Sequence, residues 1–181
     1  MSRAVGIDYS MTSPCVCIKE DGVYGFHYLS DKKKFIGIIP THNPKFHIKG
    51  YEHKPYKNNI ERYNNIGEWV ISLLQPNDII NLEGYAMGVT KGVVFNIAEL
   101  TGILKLKLWE NGYHIESIAP TANKKEATGK GNANKILMTE AFISSTGLDL
   151  FSIFNITKTK KDISPIDDIS DAYHLANYAF F

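Results

Sequence analysis

Cysteine is nearly absent: the 181 residues hold two, Cys15 and Cys17, set two apart in an apolar run. Neighbours that close on an extended strand share a face and cannot reach disulfide geometry without distortion. With no partner cysteine elsewhere, a disulfide scaffold and a zinc finger are both excluded, and a reducing, intracellular setting is expected. Long hydrophobic runs are also missing. None approaches the roughly 20 residues needed to cross a bilayer, so no membrane partner is expected. The chain enters a predicted strand within three residues, so no signal peptide is expected either. Internal repeats and low-complexity segments are absent, and so is an excess of either charge: 20 Lys+Arg face 19 Asp+Glu, for a net charge of +1.

What is present is one domain's worth of chain, residues 1–181, with 44% hydrophobic residues for a sizeable core. Its charge is unevenly spread. Residues 31–65 carry eight basic side chains (Lys32, Lys33, Lys34, Lys45, Lys49, Lys54, Lys57, Arg62) against three acidic ones (Asp31, Glu52, Glu61). Residues 119–135 add Lys124, Lys125, Lys130 and Lys135 against Glu126 alone. A charge run is often only a solvated face, but two separated basic segments in so neutral a chain favour phosphate binding.

Hydrophobic patterning predicts strands at 3–9, 14–20 and 23–30, the last two joined by a tight turn at Asp21-Gly22, which together make an antiparallel meander. Residues 31–57 are basic and punctuated by Pro40, Pro44 and Pro55, and are expected to form an irregular insertion with at most a short strand at 35–39. A helix over 58–75 follows from the spacing of Ile60, Tyr63, Ile66, Trp69, Val70, Leu73 and Leu74, ending before Pro76. Then come a strand at 78–84, a helix over 93–111 closed by Gly112, a strand at 114–119, and helices over 132–145 and 168–180. This order predicts an α/β fold of ribonuclease-H-like layout: a mixed five-stranded sheet, three strands antiparallel and the rest parallel additions, with helices on both faces.

Four carboxylates stand out by position. Asp8 lies inside the apolar strand Val5-Gly6-Ile7-Asp8, and Glu83 closes Ile79-Ile80-Asn81-Leu82-Glu83. Asp168 and Asp171, three apart at the head of the last helix, point to one side. Carboxylates are depleted from strands and seldom buried without a partner or a metal. Plainer readings exist: Asp8 capping a turn, Glu83 as a strand-end charge, and Asp167, Asp168 and Asp171 answering the helix dipole. The layout, however, brings both strand ends and the helix start to one edge. Two unit charges at 4 Å interact by roughly 4 kcal/mol at an effective dielectric of 20. Converging acids therefore call for a hard divalent cation, and magnesium suits phosphate chemistry. Without these four acids the remaining chain carries +5.

These residues carry a resemblance. Gly6-Ile7-Asp8-Tyr9-Ser10 resembles the GIDxS/G opening of the RuvC-type Holliday junction resolvases, which belong to the ribonuclease-H-like superfamily. Asn81-Leu82-Glu83-Gly84 resembles the family's strand ending in its second acid, and Asp168-Ile169-Ser170-Asp171-Ala172 its DAADA helix start. Between them, Lys124 to Lys135 resembles the family's K-x4-G-x-G-x3-K segment, with two glycines, Gly129 and Gly131, expected to let backbone approach a phosphate.

The resemblance implies a homodimeric endonuclease that resolves four-way junctions by magnesium-dependent hydrolysis, leaving 5′-phosphate and 3′-hydroxyl ends. Two ions per site, with manganese as a substitute, would be held by Asp8, Glu83, Asp168 and Asp171, with Lys124 and Lys135 near the scissile phosphate. Lys91, Lys125, Lys130 and insertion residues Lys32, Lys33 and Lys34 are expected to hold DNA; three-way and flap structures are further candidate substrates. The family's base-stacking aromatic aligns with Ala86, one residue after Tyr85, so Tyr85 is either the wedge or a core tyrosine. His174, one turn beyond Asp171, is a candidate further ligand or a structural group. A zinc site at His42, His47 and His53 has no cysteine or helical pair behind it. The GIDxS opening also occurs in sugar kinases, which need two such domains. Non-catalytic binding of branched DNA and RNA processing on the same fold remain as alternatives. Lys-, Asn- and Ile-rich composition fits an AT-rich genome, such as a phage's, and a cytoplasmic location in a bacterial or phage-infected cell.

Overall fold

The computed structural model describes residues 3–85 and 91–178, with residues 91–93 described by backbone alone. Strand β1 (Ala4–Asp8) pairs antiparallel with β2 (Cys15–Glu20), and β2 pairs antiparallel with β3 (Val23–Ser30). The β2–β3 turn is tight because Asp21 and Gly22 both take positive φ, 49° and 77°, as such a hairpin requires. The meander is therefore as expected.

Beyond it the sheet is larger than the five strands expected. The basic insertion is not irregular: it holds a 3-10 turn (Lys33–Phe35), β4 (Gly37–Ile39) and β5 (Phe46–Glu52). β5 runs parallel to β3, and β4 closes antiparallel on β5. Phe46, Ile48 and Gly50 are buried while His47 and Lys49 between them are exposed, the alternation of a half-buried strand. Gly50 is required there, since a Cβ would lie 1.9 Å from the Phe35 carbonyl oxygen.

Helix α1 (Asn59–Leu73) is capped by the Asn58 side chain, which accepts from the Glu61 N–H, and leads to β6 (Ile79–Glu83). α2 (Lys91–Glu110) and β7 (Ile115–Ile118) follow, with α3 (Pro120–Thr128), α4 (Lys135–Thr146), the short α5 (Leu150–Phe154) and α6 (Ile166–Asn177) completing the chain. α3 and α5 were not expected from the sequence. The seven strands lie in the order β4-β5-β3-β2-β1-β6-β7, with β6 parallel to β1 and β7 parallel to β6. Every strand except β2 and β4 thus points its carboxyl end to one edge.

Two apolar layers cover the sheet. Val5, Ile7, Val16, Ile18 and Leu82 pack with Tyr63, Ile66 and Val70 of α1 and Leu100, Leu104 and Leu108 of α2. On the other face, Cys15, Cys17, Phe26, Tyr28 and Ile48 pack with Phe142 of α4, Phe151 and Phe154 of α5, and Ile169, Ala172 and Tyr173 of α6. Both cysteines are buried and free. Among the described residues no helix is long and apolar enough to cross a membrane.

Candidate active site

The site begins with a glycine. Gly6 lies two residues before Asp8 on the same face of β1, and a Cβ there would sit 2.1 Å from the Ala172 carbonyl oxygen and 2.3 Å from the Ala176 nitrogen. Only a residue without a side chain lets α6 lie against the strand. Asn81, opposite Gly6 on β6, holds the other end of this contact: its amide donates to the Leu175 carbonyl at 2.7 Å and to that of Tyr178 at 3.3 Å. From α3, the Asn123 amide reaches the Asp171 carbonyl at 3.5 Å. α6 is thereby pinned across the ends of β1 and β6, with its acidic first turns over the carboxyl edge.

Four acids meet there. Ile7 pairs with Leu82, so Asp8 and Glu83 are the next neighbours on adjacent parallel strands, and the Asp8 carboxyl hydrogen-bonds the Glu83 carboxylate. Burial, then the charges of Glu83, Asp168, Asp171 and Asp167, hold the Asp8 carboxyl well above the usual carboxylate range. Asp171 is pushed well up by burial and by Glu83, Asp167 and Asp168, with Lys124 opposing. Asp168 rises to about 7 through burial and Asp167, opposed by hydrogen bonds from the Ser164 and Ser13 hydroxyls; the Ser164 bond is 2.6 Å long. Glu83 is raised by burial, with the Asp8 bond and Lys124 opposing. Asp8 and Asp171 each feel several of the other acids, as members of a close anionic cluster do.

The donor set suits a hard divalent cation. All four side chains offer oxygens, and Asp171 Oδ1 is buried with no hydrogen-bond partner. Among the described residues no three His, Cys or carboxylate side chains are already drawn together as a closed metal-binding group. Coordination would therefore need small side-chain rotations at the acids.

The basic residues divide. Lys124, on α3, acts on both Glu83 and Asp171 and so stands at the cluster. Lys135 opens α4 and is ion-paired with Asp167, whose carboxylate is buried. Lys125 and Lys130 are exposed away from these contacts. Gly129 and Gly131, expected to admit a phosphate, have local tasks: Gly129 ends α3 in the left-handed conformation (φ 74°), and a Cβ on Gly131 would approach the Thr121 carbonyl oxygen to 3.2 Å. At the start of the insertion, Lys32 donates to Asp162 at 2.8 Å and to the Ser164 carbonyl at 3.3 Å, while Lys33 and Lys34 face solvent. A cavity of about 300 Å³ lined by Thr12, Ser13, Ser30, Asp31, Lys32, Asp162 and Ser164 joins this segment to the serines that hold Asp168.

His174 is buried and its Nε2 meets the Met138 carbonyl at 3.1 Å, a structural contact with α4. Tyr85 is not a core tyrosine. It is exposed, with the Lys105 ammonium 5.5 Å from its ring centre. Ala86 and the Lys91 side chain lie outside the described residues. Sequence reasoning missed Ser13, Ser164, Asn81 and Asn123, which hold the acids or their helix in place. Asn81 alone carried a signal, as an amide in an otherwise apolar strand.

No protein-family model and no curated protein matches this chain by sequence. Among solved structures, a Thermus thermophilus RuvC structure matches with a TM-score of 0.54 at 15% identity, covering 94% of this chain and 90% of that one. T. thermophilus RuvC in complex with a Holliday junction substrate matches with a TM-score of 0.58 at 15% identity, covering 97% and 91%. Over nearly its whole length, the chain has the ribonuclease-H-like fold found in these RuvC structures.

Proposed function

We propose that this chain is a divalent-metal-dependent endonuclease that cuts branched DNA, four-way junctions above all. One observation carries the reading: Asp8, Glu83, Asp168 and Asp171, from three separate elements, share one site at the carboxyl edge of the sheet, where burial raises the pKa of each and the charges of the neighbouring acids raise Asp8 and Asp171 further. A fold shared with a RuvC that has been seen with a Holliday junction supports DNA as the substrate.

Asp8, Glu83, Asp168 and Asp171 would hold two magnesium ions, with manganese able to replace them. Such ions supply charge neutralisation and a water acidic enough to attack phosphorus in line, leaving 5′-phosphate and 3′-hydroxyl ends. The protein's own groups do the rest. Ser13 and Ser164 fix the Asp168 carboxylate by hydrogen bonds. Lys124, beside Glu83 and Asp171, meets negative charge growing on the phosphate. Lys32, Lys33 and Lys34, at the same edge through the end of β3, hold duplex arms by their phosphates, which reads shape and not sequence. Tyr85, exposed just past Glu83, offers a ring on which an unpaired base can stack. Three-way and flap structures share the features this surface would read.

The chain acts as a homodimer in this reading, through α2. Phe95, Leu106 and Trp109 are 69%, 53% and 75% exposed. Their spacing, with exposed Gly102, puts them on one side of the helix. A self-complementary stripe of this kind suits a two-fold interface.

The test compares a four-way DNA junction, a linear duplex and an RNA–DNA hybrid in magnesium. Wild type is expected to nick the junction preferentially. Asp8→Asn is expected to bind it with nicking reduced at least about a hundredfold. Normal cutting by Asp8→Asn would overturn the assignment. Binding without cutting by wild type would mark a branched-DNA binding protein, and preference for the hybrid an RNA nuclease.

A further inference from the structure

Asp167 is a fifth acid, outside the four that the site groups as cation donors. It is 3% exposed in the first turn of α6, immediately before Asp168. One of its oxygens accepts from the Lys135 ammonium; the other, Oδ1, is buried with no hydrogen-bond partner. Lys135 is its opposite. The lysine side chain is 67% exposed, while its backbone opens α4 behind a cap in which the Asn134 side chain accepts from the Leu137 N–H. A rigid backbone, a buried anchor and an exposed ammonium thus belong to one residue pair.

A surface lysine beside a carboxylate commonly contributes nothing measurable, because both side chains are free to leave. Here the carboxylate cannot leave. Buried with a charge, it needs its partner, and losing that partner would strand an anion beside Asp168. The lysine has three N–H groups and spends one on Asp167. The ammonium is also within the field of Asp168 and Asp171, which places it at the rim of the acid cluster. A free lysine reaching for a phosphate loses rotamer freedom on binding. One already tethered has lost it beforehand.

We propose that Asp167 is a positioning residue for Lys135, holding its ammonium at the mouth of the acid site so that the remaining N–H groups meet a DNA phosphate. This rests on the nuclease reading above. Asp167 works through the lysine and touches neither metal nor DNA.

A double-mutant cycle tests it, read as single-turnover nicking of a four-way junction in magnesium, with melting curves to confirm folding. Asp167→Asn is expected to slow nicking about ten- to a hundredfold, the effect of one hydrogen bond to a charged group. Lys135→Met should slow it at least as much. The double variant should be no slower than Lys135→Met alone, because the two residues act as one unit. Additive losses would mean that Asp167 acts by itself, for instance on the metal, and would overturn the proposal. Unchanged or faster nicking by Asp167→Asn would also overturn it, since the aspartate would then be idle or withholding the lysine. A second readout needs no cutting and no folded variant beyond the assignment control. The Nζ resonance of Lys135 in wild type, identified by its loss in Lys135→Met, should stay displaced from that of a free lysine when junction is added without metal. A return to the free position would mean that the tether is released on binding, and the proposal fails. If wild type does not nick at all, the nuclease reading fails separately, and the resonance alone judges the pair.

Discussion

Asp8 and Glu83 end adjacent parallel strands and share a hydrogen bond, carboxyl to carboxylate, in which the buried Asp8 holds a proton beside the half-buried Glu83 at a pH where both would ordinarily be charged. The parallel pairing of β1 with β6 brings the two side chains together. Its consequence is a pH dependence of stability in the metal-free protein. The unfolded chain has carboxylates that titrate near 4, whereas Asp8 and Asp171 are held well above that value and Asp168 reaches about 7. Between those limits the native state binds more protons than the unfolded one, so stability falls as pH rises through the window from about 4 to about 7. Melting in a chelator should drop across that range, and Asp8→Asn should flatten the slope. A metal-free melting temperature that rises toward pH 7 would contradict the cluster.

Magnesium should act in the opposite sense. A cation that binds the folded cluster and not the unfolded chain stabilises by about 2.7 kcal/mol at a hundredfold excess over its dissociation constant. For a chain of this size that raises the melting temperature by roughly 5–10 °C. In Asp8→Asn the rise should shrink to a small fraction of the wild-type value, measured by calorimetry at fixed pH. Equal rises in the two proteins would place magnesium elsewhere on the molecule.

The site was more legible in the sequence than the sheet was. Asp8 and Glu83 stood out because a carboxylate in an apolar strand has few harmless explanations, and their partners on α6 stood out by helical spacing. Gly6 was part of the same motif, and its reason is plain only in three dimensions, where Ala172 and Ala176 occupy the space of its missing side chain. β5 was lost because Gly50 takes one of its three buried positions and prolines flank it, while its pairing to β3 is fixed by residues about twenty positions away. α3 went unread because its core contact is the polar Asn123 and no apolar stripe marks it. His174 could not be assigned from spacing alone, since whether it faced the acids or Met138 depends on how α4 crosses α6.

The stripe on α2 leads to the remaining prediction. Trp109 and Leu106 are large, apolar and mostly exposed, and they share a side of the helix with Phe95 while Leu100, Leu104 and Leu108 fill the core on the other. A helix whose buried side is complete has no structural use for a second apolar side in a lone protomer, and exposed indole and leucine side chains each lose favourable burial. Pairing with a second copy recovers it. Trp109→Glu combined with Leu106→Glu should therefore convert a dimer to a monomer in sedimentation at micromolar concentration. The stability of the isolated protomer should change little, because neither residue contributes to the core. Paired nicking of a junction should become uncoupled, since two active sites would no longer arrive together. A wild type that sediments as a monomer at these concentrations would remove α2 as the interface.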